Sequence, residues 1–281
     1  MKVVITGSNG QLGSALMDIL KNEEILGIDV HNCDITVKEY VVGKIIKFAP
    51  NVVIHCAAYN AVDAAEDDEE NCFKVNADAT TYIAEVCHKI NARLLYVSTD
   101  YIFAGDGTTL HETMDETKPL SVYGRSKLQG EKNIKRITAK YYIVRTSWLF
   151  GNGDNFVKTM LQLSKEKSKL SIVSDQVGSP TYAVDLAFAI SEIISTEKYG
   201  IYHVTNEGFY SWADFAKLIF EKVGKDISID EVESEAYNSK AKRPLNSRMS
   251  NSSLIKNGFS CLPSVENALE RYLLTISQDE V

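Results

Sequence analysis

The chain has 281 residues, 44% of them apolar and 24% charged, and a formal net charge of −8 at pH 7. Such a chain can bury a sizeable core, and its negative charge disfavours nucleic acid and anionic lipid as partners. No apolar run reaches the roughly 18–20 residues that a membrane helix requires, and the N-terminal stretch lacks the features of a signal peptide. We therefore expect a cytoplasmic protein with neither a membrane nor a nucleic-acid partner.

In the first half of the chain, short β-branched runs alternate with amphipathic stretches. The predicted strands are 3–6, 25–29, 52–56, 93–98 and 142–146, and the predicted helices are about 12–21, 40–48, 71–90 and 123–137. Strand–helix alternation at this spacing implies right-handed crossovers and a parallel sheet covered on both faces. The sequence therefore predicts an α/β fold with a Rossmann-type doubly wound parallel sheet.

Beyond residue 150 this alternation becomes less regular. Helices are predicted at 155–165, 184–194, 210–223 and 264–274, and a strand at 200–205, whereas the segment 227–253 is polar with few periodic apolar positions. We expect a dinucleotide-binding domain of residues 1–150, with about 182–206 added to it. Residues 151–181 and 207–281 would form most of a smaller, discontinuous C-terminal substrate lobe.

A glycine-rich turn, G-S-N-G-Q-L-G, joins the first predicted strand to the first predicted helix. Its glycines permit a tight turn and let backbone N–H groups approach a pyrophosphate, whose charge the helix N-terminus favours. The alternative is a tight strand-to-helix turn that binds nothing. The cofactor contacts predicted within this turn are Gly7, Asn9, Gly10, Gln11, Leu12 and Gly13.

Asp29 ends the second predicted strand about 20 residues further on, where a carboxylate can accept hydrogen bonds from the adenosine ribose. A 2′-phosphate would meet that carboxylate, so Asp29 taken alone favours NADH over NADPH. An aspartate of an ordinary strand-end turn is the alternative interpretation. Further cofactor contacts are predicted after the second and third strands, at Asp34, Ile35, Ala57, Ala58 and Tyr59.

Tyr123 and Lys127 are four residues apart on a predicted helix, which places them on one face. A nearby cation stabilises tyrosinate, so we expect Lys127 to lower the pKa of Tyr123 towards neutrality, where a phenol is an efficient general acid. Thr99 follows the fourth strand and can donate a hydrogen bond to a carbonyl oxygen. The alternatives are a surface pair and a turn threonine. Together with the glycine turn, the three residues predict NADH- or NADPH-dependent reduction of a carbonyl.

Metal binding is not indicated, because the histidines show no ligand spacing and the five cysteines show no C-x-x-C spacing. The cysteines are also odd in number, which argues against a disulfide framework. We expect reduced, mostly buried thiols and no metal site.

Several stretches resemble the dTDP-4-dehydrorhamnose reductases of the extended short-chain dehydrogenase/reductase superfamily, over nearly the whole chain. They are S-T-D-Y-I-F from residue 98, P-L through Y-G to K over 119–127, R-T-S-W from 145, D-N-F from 154, D-Q-V-G-S-P-T from 175 and R-P-L-N-S-R from 243. The resemblance implies a Rossmann domain with a small C-terminal lobe. It also implies reduction of the 4-keto group of dTDP-4-dehydro-β-L-rhamnose by NADPH or NADH, a step towards cell-surface polysaccharide.

The resemblance also implies residue roles. Thr99, Tyr123 and Lys127 would form the catalytic triad, with Tyr123 and Lys127 touching the cofactor ribose. Thr99, Asp100 and Trp148 would contact the sugar, although Trp148 could instead fill the core. For the substrate's diphosphate, the candidates are Arg243 and Arg248, since arginine binds phosphate bidentately; a solvated basic surface is the alternative.

Some members form a magnesium-bridged dimer through a glutamate early in the first helix. This chain has Ser14, Ala15 and Leu16 there, so we assign no metal, and a homodimer through other contacts stays open. Two rival functions also stay open. One is a 4-epimerase or 4,6-dehydratase acting on a nucleotide sugar, although Tyr101 stands where a dehydratase has its second carboxylate. The other is a non-catalytic NAD(P)-binding regulatory subunit.

Overall fold

The computed structural model describes residues 1–237 and 239–276. Its strands are β1 Lys2–Thr6, β2 Glu24–Ile28, β3 Val52–His55, β4 Arg93–Thr99, β5 Tyr141–Thr146, β6 Leu149–Phe150, β7 Lys169–Val173, β8 Val177–Gly178, β9 Thr181–Tyr182, β10 Gly200–His203, β11 Tyr210–Ser211, β12 Ser228–Val232 and β13 Asn246–Ser247. Its helices are α1 Gln11–Ile19, α2 Lys38–Phe48, α3 Val62–Ala65, α4 Glu69–Phe73, α5 Ala79–Lys89, α6 Val122–Ile137, α7 Phe156–Glu166, α8 Ala183–Ile194, α9 Trp212–Lys222, α10 Ser252–Lys256 and α11 Val265–Leu273.

The main sheet has six strands in the order β2-β1-β3-β4-β5-β10, and all its pairs are parallel. Its central strands are buried on both faces; all four residues of β3, V-V-I-H, are buried. The chain passes from β1 outward to β2 and returns to β3 on the other side of β1. This reversal creates a crevice at the carboxyl ends of the strands, where ligands of such folds bind. The predicted Rossmann-type fold is confirmed.

Helices cover both faces of this sheet. On one face α1 packs against α8, and Leu16 and Ile190 belong to a single apolar core there. On the other face α5 packs between α2 and α6, with Val41, Ile83 and Ile134 in a second core. No helix within residues 1–237 and 239–276 is long and apolar enough to span a membrane.

The predicted helix 71–90 is interrupted near its start. Between α4 and α5 lies a π-helical turn, Lys74–Asp78, a type of turn that occurs frequently at functional sites. The buried Asn76 side chain in this turn donates to Ser126 Oγ at 2.9 Å and accepts from Tyr59 N at 2.8 Å. The turn therefore ties the loop after β3 to helix α6.

A third apolar core lies among α7, α9 and α11, with Leu161, Phe215 and Leu269 fully or almost fully buried in it. Beside it β7 pairs in parallel with β12, and β8 lies between β11 and β13. Sequence patterning assigned no strand to 227–253, yet β12 and β13 lie in this segment. The pattern misses β12 because none of its five residues is buried: it pairs with β7 through backbone hydrogen bonds at the surface.

Candidate active site

A cavity of about 540 Å³ opens at the carboxyl ends of β1, β3, β4 and β5. Its wall is formed by the carboxyl ends of these four strands with the residues that follow them, by helix α6 and by the start of α9. The lining residues are Gly7, Gly10, Gln11, Leu12, Gly13, Cys56, Ala58, Asn60, Val62, Val97, Ser98, Thr99, Asp100, Tyr101, Tyr123, Lys127, Thr146, Ser147, Trp148, Leu149 and Trp212. The predicted catalytic residues and the glycine turn therefore meet in one cavity.

The glycine turn is packed too tightly for side chains. A Cβ atom on Gly13 would lie 2.0 Å from the Gly7 carbonyl oxygen, and one on Gly7, whose φ is +67°, would lie 2.8 Å from Ala57 N. Helix α1 begins after Gly10 with no side-chain cap and no acidic residue in its first turn. Its positive end is therefore available to an anion, and the turn fits the pyrophosphate of a dinucleotide.

Six predicted cofactor residues lie outside the lining of this cavity: Asn9, Asp29, Asp34, Ile35, Ala57 and Tyr59. Asp29 Oδ2 accepts a hydrogen bond from Asn9 N at 3.2 Å, so this carboxylate helps to hold the glycine turn. Asp34 accepts from the backbone and hydroxyl of Thr36, which lowers its pKa. Ile35 is buried in the second core, on the face of the sheet covered by α2, α5 and α6. Their roles towards a cofactor stay predictions.

Tyr123 is positioned by the start of α6. Ser121 Oγ accepts a hydrogen bond from Gly124 N at 3.1 Å and so caps the helix. A Cβ on Gly124 would lie 2.3 Å from Tyr101 O, so only glycine lets α6 approach the loop after β4 this closely. Burial raises the pKa of Tyr123, and the Thr99 hydroxyl partly opposes this rise.

Lys127 is 3% exposed, and its Nζ donates to the Val97 carbonyl at 2.7 Å and lies 4.2 Å from the centre of the Tyr96 ring. Burial lowers the pKa of Lys127 to about 7, against the opposing effect of Glu131. The prediction that Lys127 brings the pKa of Tyr123 down towards neutrality is therefore wrong. The reason is that desolvation dominates at both residues and keeps the phenol protonated.

A buried ion pair that the sequence analysis missed supports this arrangement. Glu131 and Arg145 are 0% and 2% exposed, and their Oε2 and Nη2 atoms are 2.8 Å apart. Glu131 Oε1 also accepts from Ser98 Oγ at 2.6 Å and from Arg145 Nε at 3.0 Å. One carboxylate thus joins α6 to the ends of β4 and β5. The signal available in the sequence was a glutamate one helical turn after Lys127.

Asp100 is 2% exposed, and its Oδ1 accepts from Thr99 Oγ1 at 3.0 Å. Its Oδ2 has no hydrogen-bond partner among the described residues. Burial raises the pKa of Asp100 to about 6, and the Ser247 and Thr99 side chains partly oppose this rise. A buried carboxyl oxygen without a partner beside the cavity suits a ligand hydroxyl.

The two predicted diphosphate-binding arginines lie outside the cavity lining. Arg243 Nη2 and Nη1 contact the two carboxylate oxygens of Asp63 at 2.7 and 3.2 Å. Arg248 Nη1 donates to Asn246 Oδ1 at 2.9 Å. Trp148, by contrast, lines the cavity and stacks on Trp212, which the sequence analysis did not single out.

Comparisons with known proteins show which family the chain belongs to. The family described as RmlD substrate binding domain matches residues 1–277. The dTDP-4-dehydrorhamnose reductase of Aggregatibacter actinomycetemcomitans is 41% identical over 262 residues, which is 88% of this chain and 89% of that protein. A crystal structure of a dTDP-4-dehydrorhamnose reductase from Clostridium acetobutylicum superposes with a TM-score of 0.96 at 40% identity, covering 98% of this chain and 100% of that chain.

The dTDP-4-dehydrorhamnose reductase of Bacillus anthracis, in complex with NADP, gives a TM-score of 0.95 at 40% identity and covers 98% of this chain and 99% of that chain. Both structures therefore match nearly the whole of this chain. The chain belongs to the RmlD substrate-binding-domain family, together with the dTDP-4-dehydrorhamnose reductases that its motifs resemble.

Proposed function

We propose that the protein reduces the 4-keto group of dTDP-4-dehydro-β-L-rhamnose to give dTDP-L-rhamnose, with NADPH or NADH as reductant. The observation that carries this proposal is the meeting of Thr99, Tyr123 and Lys127 with the glycine turn in one cavity. Relatives named dTDP-4-dehydrorhamnose reductase, one of them bound to NADP, support the substrate and the cofactor.

In this mechanism the glycine turn and the N-terminus of α1 would bind the pyrophosphate of the dinucleotide, and Lys127 would hold its nicotinamide ribose. When bound, the reduced nicotinamide would supply the hydride. Tyr123, kept protonated by burial, donates its phenolic proton to the oxygen that was the 4-keto group. Thr99 would turn its hydroxyl proton from Asp100 Oδ1 and donate a hydrogen bond to the same oxygen, and the free Oδ2 of Asp100 would accept one from a sugar hydroxyl. Proton donation by a positioned side chain contributes typically about 10²- to 10⁴-fold in rate.

Several finer statements belong to the same proposal. Residues 1–150 with about 182–206 would bind the dinucleotide, and 151–181 with 207–281 would form most of the substrate lobe; the separate core of α7, α9 and α11 supports this division. Residues 238 and 277–281 of that lobe lie outside the described residues. The diphosphate role of Arg243 or Arg248, a cytoplasmic location and a homodimer stay predictions.

Turnover of purified protein on dTDP-4-dehydrorhamnose tests the proposal, with NADH and NADPH compared through the near-ultraviolet absorbance of the reduced nicotinamide. We expect oxidation of the cofactor only when the sugar nucleotide is present. Turnover of a nucleotide sugar without added reductant would favour a 4-epimerase instead. Cofactor binding without turnover on any 4-keto nucleotide sugar would favour a regulatory subunit.

A further inference from the structure

The chain contains two tryptophans, and both lie in the wall of the active-site cavity. Trp148 follows β5 on the catalytic side, whereas Trp212 is the first residue of α9 in the small lobe. Their rings are stacked, with centroids 3.6 Å apart and planes within 7° of parallel. The stack therefore connects the two lobes at the cavity itself.

The backbone of Trp148 adopts an unfavourable conformation. Its φ is +49°, in the left-handed region that bulky residues rarely occupy and that persists only where the surroundings enforce it. Backbone contacts hold this segment in place, since Thr181 N donates to Trp148 O at 3.1 Å. On the ring, a Cβ at Gly178 would lie only 2.9 Å from Trp148 Cε2, so the space beside the indole requires glycine there.

Trp212 is fixed by its own lobe. Its Nε1 donates to Gln176 Oε1 at 3.2 Å, and the ring of Phe156 packs against it with centroids 4.6 Å apart. Ser211 caps α9 by accepting from Asp214 N at 3.0 Å, which sets the place of the helix's first residue. Trp212 is thus a rigid support, and Trp148 is the strained residue that rests on it.

We propose that Trp212 is a positioning residue for the substrate: through its stack it holds Trp148 as an apolar wall for the sugar ring of the nucleotide sugar. A deoxy sugar has C–H groups and a methyl group that an indole surface can cover while its hydroxyls reach the polar strand ends. This inference rests on the proposed function. It assigns the small lobe a part in binding the sugar, separate from any contact with phosphate.

Steady-state kinetics of Trp212→Ala, Trp212→Phe and Trp212→Leu in the full chain test this proposal. For Trp212→Ala we expect the KM for dTDP-4-dehydrorhamnose to rise roughly three- to tenfold, as loss of one aromatic contact would produce. The dissociation constant for NADPH should stay within about twofold, because Trp212 lies on the substrate side. Trp212→Phe should recover most of the KM, since a phenyl ring can still stack, whereas Trp212→Leu should not.

A matched control is Phe209→Ala, an aromatic residue that is 43% exposed and lies outside the cavity lining; it should leave KM unchanged. A folded Trp212→Ala variant with KM unchanged would overturn the proposal, as would an equal loss of NADPH affinity. If Trp212→Ala fails to fold, the difference in KM between Trp212→Phe and Trp212→Leu decides the question; equal KM values for these two variants would overturn the proposal.

Intrinsic fluorescence separates this inference from the proposed function. Because the chain's two tryptophans are stacked in the cavity wall, binding of dTDP-L-rhamnose should change their emission in the wild type even without turnover. Absence of turnover together with such a change would contradict the proposed reaction but support the role of Trp148 as a wall for the sugar ring. If the protein turns over but its emission does not respond to saturating dTDP-L-rhamnose, the sugar contact of Trp148 would be contradicted and the proposed reaction supported.

Discussion

The two sides of the active-site cavity are built in different ways. On the cofactor side, the glycine turn lies within seven consecutive residues, and Tyr123 and Lys127 lie one helical turn apart. On the proposed substrate side, Trp148 stacks on Trp212, a residue far away in the chain. The first side depends on local backbone geometry, and the second on a contact between distant parts of the chain.

This difference indicates that chemistry and recognition can be changed separately. Substitutions at Tyr123 or Thr99 should abolish turnover and leave both ligands bound. Substitutions in the glycine turn should weaken binding of the cofactor, and those at the tryptophan stack should weaken binding of the sugar nucleotide.

Tyr123→Phe should give the largest functional loss, about 10²- to 10⁴-fold in kcat, because it removes the proton donor and leaves the ring in place. The dissociation constant for NADPH should change little. Steady-state kinetics and a fluorescence titration measure the two quantities on the same preparation. Activity near that of the wild type would remove Tyr123 from the mechanism.

Arg145→Met should lower the free energy of unfolding by about 3–5 kcal/mol, since it leaves the buried Glu131 carboxylate without its partner. The control is Lys169→Met, which breaks an exposed pair with Asp230 between β7 and β12 and should cost less than about 1 kcal/mol. Urea unfolding of both variants gives the comparison. Equal losses would mean that burial does not distinguish the two pairs.

Gly13→Ala should weaken NADPH binding about tenfold or more, because its Cβ would collide with the Gly7 carbonyl and open the turn. Gly43→Ala is the matched control: it lies exposed within α2, and a Cβ there meets nothing within 4 Å. That change should stabilise the protein by about 1 kcal/mol and leave NADPH affinity alone. Unaltered affinity in Gly13→Ala would argue against a pyrophosphate at this turn.

Beyond the loss of turnover expected of it, Lys127→Met should change how the free energy of unfolding depends on pH, which is the smallest of these effects. Burial lowers the pKa of Lys127 from 10.5 in the unfolded chain to about 7. Above pH 7 the unfolded chain therefore binds a proton that the folded chain does not, so the wild type should gain stability relative to Lys127→Met as pH rises. Urea unfolding at about pH 6.5 and 9 measures the gap, and a constant gap would contradict the low pKa.

The sequence predicted the sheet, its flanking helices and the motif residues because these follow from short-range rules of periodicity and glycine placement. Thr99, Tyr123 and Lys127 were placed in one cavity by the rule that parallel strands end at a common edge. The pairing of Trp212 with Trp148 and of Asp63 with Arg243 could not be found in this way, because the partners lie far apart in the chain and no local pattern identifies them. Glu131 lies one helical turn after Lys127, but its pairing with Arg145 on β5 likewise follows no local pattern.

The electrostatics of the catalytic pair was also beyond the sequence. Spacing alone suggested that Lys127 lowers the pKa of Tyr123, whereas the structure buries both groups and desolvation raises one pKa and lowers the other. Burial depth is a property of the assembled core. It cannot be inferred from a four-residue interval.

The most direct test of the account is a crystal structure of the protein with NADP and dTDP-L-rhamnose. We predict the pyrophosphate at the Gly10–Gly13 turn, and the sugar C4 oxygen within hydrogen-bonding distance of both Tyr123 Oη and Thr99 Oγ1. A sugar bound with C4 away from these two hydroxyls, or a dinucleotide bound elsewhere, would contradict it.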